Sequence, residues 1–195
     1  MNSNGNHRNT VGILAIQGDF AMHGKMLDRI GQPWRVVRHT SDLEETSALI
    51  IPGGESTTML KFFTGEGMGK AIREFAAQGK PIFGTCAGAI LLAREVVNPP
   101  QESLGLMDIT IERNAYGRQI DSHVSAGECP ALADVPIEMV FIRAPIIRRI
   151  GEQVRVLAQA QSAPVLVEQG NLLAATFHPE LTEDETIHRY FLNKM

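Results

Sequence analysis

A cysteine stands between two glycines where an apolar run ends, in the segment Gly84-Thr85-Cys86-Ala87-Gly88. The pattern G-x-nucleophile-x-G predicts a sharp turn from a strand into a helix, with the thiol at its apex. Glycines on either side let the strand and the helix pass closely. The first N–H groups of the helix favour a thiolate, and they favour the oxyanion that forms when it attacks a carbonyl. The alternative is a small buried cysteine in a core turn.

A base for this thiol is offered by Phe177-His178-Pro179-Glu180, which ends the last apolar run. The proline holds His178 in an extended conformation. Residues two apart in an extended segment point to the same side, so we expect the Glu180 carboxylate to hydrogen-bond the imidazole that faces Cys86. His178 would then take and return the proton, while Glu180 orients the ring. The alternative is a loop histidine beside a solvated glutamate.

A third turn, Pro52-Gly53-Gly54-Glu55-Ser56, also follows an apolar run directly. Consecutive glycines let a backbone N–H group approach a substrate closely, as an oxyanion hole requires. A Pro-Gly-Gly turn is often only a turn, and Ser56 could equally be the N-cap of the following helix. Because the carboxyl ends of parallel strands open on one crevice, the three turns are expected to converge.

Two other motifs are excluded by single residues. The segment Gly65-Glu66-Gly67-Met68-Gly69-Lys70 resembles a phosphate loop, but the Walker pattern needs Gly at 64 and Ser or Thr at 71. His178-x-Glu180 matches half of a zinc deaminase signature, yet no Pro-Cys-x-x-Cys follows. We therefore predict no metal site. The other histidines lack ligand spacing, so each is assigned a structural or solvent role; they are His7, His23, His39, His123 and His188.

The elements that must position these residues alternate between strand and helix over the first half of the chain. Apolar runs predict strands at 11–16, 35–37, 48–51 and 81–84, and helical spacing predicts helices at 20–30, 67–78 and 87–94. From residue 109 onward, short apolar runs follow one another as hairpins or an antiparallel extension. A capping box of Thr182 and Glu185 predicts a last helix. This order predicts a mainly parallel sheet covered by helices on both faces.

Composition sets the class of protein. The 195 residues carry 44% hydrophobic and 21% charged side chains with a net charge of −4. These values are those of a globular chain, and no basic patch for nucleic acid and no membrane-spanning run is present in the sequence. We expect residues 1–10 to form a disordered tail and residues 11–195 to form one domain. Two cysteines without a CxxC indicate a cytoplasmic protein in which a thiol is reactive rather than structural.

Three motifs in this order, Pro-Gly-Gly-Glu-Ser, Gly-Thr-Cys-Ala-Gly and Phe-His-Pro-Glu, resemble the class I (triad) glutamine amidotransferases. Five longer segments resemble, within that class, the glutaminase subunits of pyridoxal 5′-phosphate synthase. These segments are Leu14-Ala15-Ile16-Gln17-Gly18, the Gly53–Thr58 turn, Arg113-Asn114-Ala115-Tyr116-Gly117-Arg118-Gln119, Phe141-Ile142-Arg143-Ala144-Pro145 and the run from Ala175 to Thr182.

The resemblance implies a flavodoxin-like three-layer α/β sandwich that hydrolyses L-glutamine to glutamate. It implies that ammonia passes to a separate (β/α)8-barrel synthase subunit in a hetero-oligomer, with no cofactor on this chain. Cys86 falls at the family's nucleophile, His178 at its base and Glu180 at its acid. The glutamine-binding positions fall on Gly53, Gly54, Glu55, Arg113, Ile142 and Arg143. The N–H groups of Gly54 and Ala87 are the expected oxyanion hole.

An arginine suits the α-carboxylate of glutamine through a bidentate pair, although Arg113 and Arg143 could instead form surface ion pairs. Two departures from the family pattern concern partner docking: Met22 precedes His23 where a glutamate is usual, and His123 follows Asp121-Ser122 where a phenylalanine is common. The sequence leaves three other functions open. They are the glutaminase of another pathway, such as imidazole glycerol phosphate synthase, a cysteine hydrolase of the DJ-1 type, and an inactive subunit that only binds a partner.

Overall fold

The computed structural model describes residues 9–16, 20–65, 67–113 and 122–195. Three parts of the sequence predictions lie outside these residues: positions 1–8 of the expected tail, the Gln17-Gly18 turn, and the motif after Arg113. Asp121, part of one departure from the family pattern, lies outside them as well.

The described ranges form twelve strands and six helices. The strands are β1 (Val11–Leu14), β2 (Trp34–Val37), β3 (Ala48–Ile51), β4 (Ile82–Thr85), β5 (Ala93–Val97), β6 (Met107–Glu112), β7 (His123–Gly127), β8 (Ile137–Phe141), β9 (Ile146–Ile150), β10 (Arg155–Ala160), β11 (Ala163–Gln169) and β12 (Leu172–Ala175). The helices are α1 (Phe20–Ile30), α2 (Thr40–Glu44), α3 (Ser56–Gly65), α4 (Met68–Ala77), α5 (Ala87–Leu92) and α6 (Thr186–Leu192).

Seven strands form the central sheet in the order β10-β11-β12-β4-β3-β1-β2. The five strands from β12 to β2 are parallel, and β11 and β10 extend the sheet in antiparallel fashion. In the β4 and β12 pair, Thr85 lies opposite Ala175. The residues that follow these two strands therefore emerge side by side at one edge of the sheet.

Apolar side chains from both faces of the sheet form two cores. One core packs α3, α4 and α5 against the sheet through residues such as Met59, Ile72 and Leu91. The other packs α1 and α6 through Leu27, Ile187 and Phe191. Strands buried on both faces read as continuous apolar runs, which is why β1 and β3 are recognisable from sequence. The predicted fold class is confirmed.

Smaller sheets cover one end of this sandwich. β5 pairs in parallel with β6, which pairs antiparallel with β9, and β7 pairs antiparallel with β8. The helix predicted to reach residue 94 ends at Leu92 because β5 begins at Ala93 and pairs with β6. In the described part of the chain, no helix has the length and apolar character needed to cross a membrane.

The start predicted for the last helix was wrong. Residues Pro179–Leu181 form a single 3₁₀ turn, and Thr182 is extended. Its hydroxyl donates to the carbonyl of Pro179 and accepts from the amide of Asp184. The Asp184 carboxylate then accepts from the amide of Thr186, so α6 begins three residues later than the capping box predicts.

Candidate active site

Cys86 occupies a strained turn between β4 and α5. Its backbone angles are φ 48° and ψ −105°, a region that side-chain-bearing residues rarely adopt and that recurs at functional sites. A Cβ atom on Gly88 would lie 1.9 Å from the carbonyl oxygen of Ile51, and one on Gly84 would lie 2.6 Å from the backbone of Gly88. The two glycines therefore permit the close packing of β4, β3 and α5 that the sequence pattern predicts.

The structure brings Cys86, His178 and Glu180 together in the interior, with exposed fractions of 8%, 3% and 2%. His178 Nδ1 lies 2.8 Å from Glu180 Oε1, and the Cys86 thiol is hydrogen-bonded to the same imidazole. Two backbone bonds fix these segments: the Cys86 amide donates to Ala175, and the His178 amide donates to Val140, each at 2.8 Å. The geometry is that of a nucleophile, a base and a group that orients the base.

His178 has an unusually high pKa for a buried histidine. Burial alone would lower the pKa of the imidazole, but its hydrogen bonds and charge interactions with Cys86 and Glu180 outweigh burial and raise the pKa to about 10. The ring therefore carries a proton at neutral pH. The structure thus places a protonated imidazole directly beside the sulfur of Cys86.

The Pro-Gly-Gly turn lies against this constellation. A Cβ atom on Gly53 would lie 2.6 Å from His178 Cε1 and 3.5 Å from Cys86 Cβ, so only glycine fits between the turn and the two side chains. Gly54 has φ 143° and is exposed. Gly54 and Ala87 both line the cavity in front of the thiol, where the sequence places the oxyanion hole.

This cavity has a volume of about 230 Å³ and is bounded on one side by Cys86 and His178. Arg113, Ile142 and Arg143 also line it, and the carbonyl oxygen of Ile142 lies 3.9 Å from the Cys86 sulfur. The volume is below the roughly 300 Å³ at which sites for drug-sized ligands begin, which fits a small metabolite. In the described ranges neither arginine forms an ion pair with an acidic side chain.

Glu55 lines the same cavity, but its carboxylate is engaged at the start of α3. It accepts from the amides of Thr57 and Thr58, at 3.2 and 3.1 Å, and from both threonine hydroxyls. These hydrogen bonds lower the pKa of Glu55 to about 2. Glu55 rather than Ser56 caps the helix, and the Ser56 hydroxyl donates instead to Gln101 at 3.1 Å.

Two histidines that the sequence assigns to a structural or solvent role lie close to Glu180: His23 contacts its carboxylate, and His188 contacts His23. His23 Nε2 is 3.5 Å from Glu180 Oε2, and His23 Nδ1 is 3.0 Å from His188 Nε2. The signal for His23 was its place in the apolar stripe of α1 with Met26 and Leu27, which indicates burial. No spacing rule could join residues 165 positions apart.

Cys129 is outside this site. Its thiol is buried and donates to the carbonyl of Leu157 at 3.3 Å, and burial raises its pKa. A neutral thiol in an apolar setting is a poor nucleophile.

Known proteins match this chain over nearly its whole length. Residues 13–195 match the model of a family described as the SNO glutamine amidotransferase family. The chain belongs to the SNO glutamine amidotransferase family. The resemblance deduced from the sequence is thereby confirmed.

Relatives within the family are about half identical to this chain. A protein of Solibacter usitatus named pyridoxal 5′-phosphate synthase subunit PdxT is 54% identical, over 95% of this chain and 98% of its own length. One of the same name from Kosmotoga olearia is 50% identical over 95% and 97%. A crystal structure of a glutamine amidotransferase, 48% identical, superposes with a TM-score of 0.89 over 94% of this chain and 97% of the other.

Proposed function

We propose that this chain is the glutaminase subunit of a pyridoxal 5′-phosphate synthase. It hydrolyses L-glutamine to L-glutamate and supplies the ammonia to a separate synthase subunit. The observation that carries the proposal is the identity of 50 to 54% with proteins named pyridoxal 5′-phosphate synthase subunit PdxT, over 95% of the chain. The assembly of Cys86, His178 and Glu180 around one small cavity supports it.

The reaction begins with His178 protonated and Cys86 as a thiolate. The sulfur attacks the side-chain carbonyl carbon of glutamine, and the N–H groups of Gly54 and Ala87 stabilise the oxyanion. His178 gives its proton to the amide nitrogen, the C–N bond breaks, and ammonia leaves a glutamyl thioester on Cys86.

The second half regenerates the site. Neutral His178 takes a proton from water, and the resulting hydroxide attacks the thioester carbonyl. The C–S bond breaks, glutamate leaves, and the thiolate and imidazolium are restored. Glu180 holds His178 by Nδ1 through both halves, so that Nε2 exchanges the proton. These reaction steps use only side chains, backbone N–H groups and water.

Glutamine is oriented by the outer wall of the cavity. Arg113 and Arg143 receive its α-carboxylate, and the backbone at Gly53, Gly54 and Glu55, together with Ile142, positions the rest of the molecule. A guanidinium group binds a carboxylate through two parallel hydrogen bonds, which fixes orientation as well as charge.

The synthase partner is a separate chain, in this proposal a (β/α)8 barrel, and the two form a hetero-oligomer. The relatives are named as a subunit of the synthase, which supports a separate partner chain. We place the complex in the cytoplasm, which the free thiols of both cysteines support.

Replacing the nucleophile tests the proposal. Cys86→Ala should reduce glutamate release from glutamine at least about a thousandfold, while the complex with the synthase still makes product from added ammonium salt. Cys129→Ala is the matched control, because it removes the other thiol outside the cavity and should leave glutamate release near the wild-type rate. Glutamine hydrolysis that survives in Cys86→Ala would exclude the mechanism.

A further inference from the structure

Glu180 is approached from behind by an imidazole that the mechanism above does not use. His23 Nε2 lies 3.1 Å from the hydroxyl oxygen of Thr85 and 3.5 Å from Glu180 Oε2. His23 and Thr85 are completely buried. Helix α1 therefore delivers a polar group to the carboxylate oxygen that does not contact His178.

The hydrogen on His23 can be placed from its other neighbour. His188, on α6, has its Nε2 3.0 Å from His23 Nδ1, while its own Nδ1 is buried without a hydrogen-bond partner in the described ranges. An unsatisfied Nδ1 is unfavourable in either tautomer, so the other end of the pair decides: a bare nitrogen at His23 Nε2 would be repelled by the Glu180 carboxylate 3.5 Å away, whereas an N–H group there is attracted to it. The proton of His188 therefore sits on Nε2 and is donated to His23 Nδ1. His23 then carries its own proton on Nε2, directed at Thr85 and Glu180.

Both of these rings are neutral. Burial, and then the charges of His188 and His178, lower the pKa of His23 well below its ordinary value, and burial lowers the pKa of His188 to about 4. Within the described ranges, the titratable groups that face His23 are His188 on α6 and His178 and Glu180 after β12. The only cation of the group is thus His178, which keeps the full charge interaction with Glu180.

We propose that His23 is a positioning residue for glutamine hydrolysis. Its Nε2–H group, oriented by His188 and hydrogen-bonded to the Thr85 hydroxyl, faces Glu180 Oε2 at 3.5 Å and attracts it, so that Oε1 remains on His178 Nδ1. This inference rests on the proposed glutaminase function. It assigns a role to α1 and α6, which supply no residue to the cavity in the described ranges.

Three variants measured in complex with the synthase subunit test the role. His23→Leu keeps the volume and removes the donor; kcat for glutamate release should fall about tenfold with KM for glutamine unchanged. His23→Gln places an amide N–H near the position of Nε2 and should recover most of kcat. Phe83→Leu is the matched packing control: Phe83 contacts both imidazoles with its ring but donates no hydrogen bond, and its kcat should stay within about twofold of wild type.

The pH profile separates positioning from packing. A carboxylate that loses a donor takes up a proton at higher pH, so the acid-side midpoint of kcat should move to higher pH in His23→Leu and stay in place in Phe83→Leu. If His23→Leu does not fold, a pair of Thr85 variants carries the test. Thr85→Val removes the hydroxyl that is hydrogen-bonded to His23 and keeps the shape of the side chain, whereas Thr85→Ser keeps the hydroxyl. The acid-side midpoint of kcat should move to higher pH in Thr85→Val and stay in place in Thr85→Ser.

Equal kcat and equal pH midpoints in His23→Leu and Phe83→Leu would overturn the positioning role. The proposed function would still stand if the wild-type complex releases glutamate. If the Thr85 variants are used instead, equal kcat and equal pH midpoints in Thr85→Val and Thr85→Ser would overturn the positioning role in the same way. No glutamate release by the wild-type complex would overturn both.

Discussion

His178 carries a positive charge in the protein interior at neutral pH because Cys86 and Glu180 flank it and outweigh its burial. The sequence gives this histidine the role of a base that takes the thiol proton after substrate arrives. In the folded chain the proton is already on the ring, so its first chemical act is to protonate the leaving nitrogen. An imidazolium that is paired with Glu180 and already formed removes one proton transfer from the proposed route to the thioester.

This ion pair should make stability depend on alkaline pH. The folded chain keeps the His178 proton up to about pH 10, whereas the unfolded chain releases it near the ordinary value of 6.5. The contribution is therefore complete below pH 6.5, declines above it and is gone above about pH 10. We expect the unfolding free energy of the wild type to fall by a few kcal/mol more than that of His178→Asn between pH 7 and pH 10.5.

Denaturant unfolding at several pH values measures this difference. Cys86→Ala provides the control for its cause, because one of the two groups that raise the pKa of His178 is then gone, so the decline should end at lower pH and be smaller in total. Parallel pH curves for the wild type and His178→Asn would contradict the charge assigned to His178.

The side chains that the sequence singles out lie together because each directly follows a strand of the sheet. Cys86 comes after β4, and His178 comes three residues after β12, the strand paired with it. Their chemical roles remain proposals. The sequence could not find His23, because its partner Glu180 is brought to it only when α1 packs against the turn after β12.

At the scale of elements, the tightest contact is between α5 and β3. The carbonyl of Ile51 occupies the space where a side chain at Gly88 would begin. Because this oxygen belongs to a central strand, it cannot move aside, and Gly88→Ala must push α5 and the thiol away from the sheet. We expect a loss of about 3 kcal/mol in unfolding free energy and loss of most glutaminase activity.

Gly105→Ala is the matched control for that variant. Gly105 has φ +67° and open space around it, so alanine there meets backbone strain but no clash. It should lower stability by about 1–2 kcal/mol and leave glutamate release unchanged. Thermal unfolding and glutaminase assays compare the two, and equal effects on activity would contradict the role of the α5 and β3 contact.

Periodicity of the apolar residues predicts the helices and strands that are long or buried on both faces. It fails where an element is short or where contacts with other residues determine the local structure. Helix α2 has only five residues, too few for a helical repeat to be recognised. Strand β9 reads Ile-Ile-Arg-Arg-Ile, and its two arginines are held by acidic side chains of β6, a pairing that exists only in the folded sheet. The capping box at Thr182 fails because Asp184 competes for the same helix start.

For the molecule as a whole, the cavity lies at the edge of the sheet formed by the carboxyl ends of β3, β4 and β12. In the proposed mechanism the three turns supply the nucleophile, the base and the glycine backbone from different parts of the chain, so the site forms only when β3, β4 and β12 are paired. The chain matches PdxT relatives over nearly their full length, and in the proposed function the synthesis step is carried out by another chain.

The turn at Gly54 links this cavity to the proposed partner. Gly54 is exposed, and within the described residues no backbone hydrogen bond holds its amide. A peptide that can adopt two orientations contributes to an oxyanion hole only for the fraction of time in which its N–H faces the substrate. Contact with the synthase subunit at this edge would shift the turn toward the productive orientation.

We therefore expect weak glutaminase activity in the isolated chain and at least about a tenfold increase in kcat on saturation with the synthase subunit. The increase should appear in kcat rather than in KM, because the oxyanion forms only in the transition state. Glutamate release is measured at fixed chain concentration while the synthase subunit is titrated. Equal turnover with and without the synthase would show that the Gly54 turn is already productive, and the coupling of the two subunits would then have to lie in ammonia transfer alone.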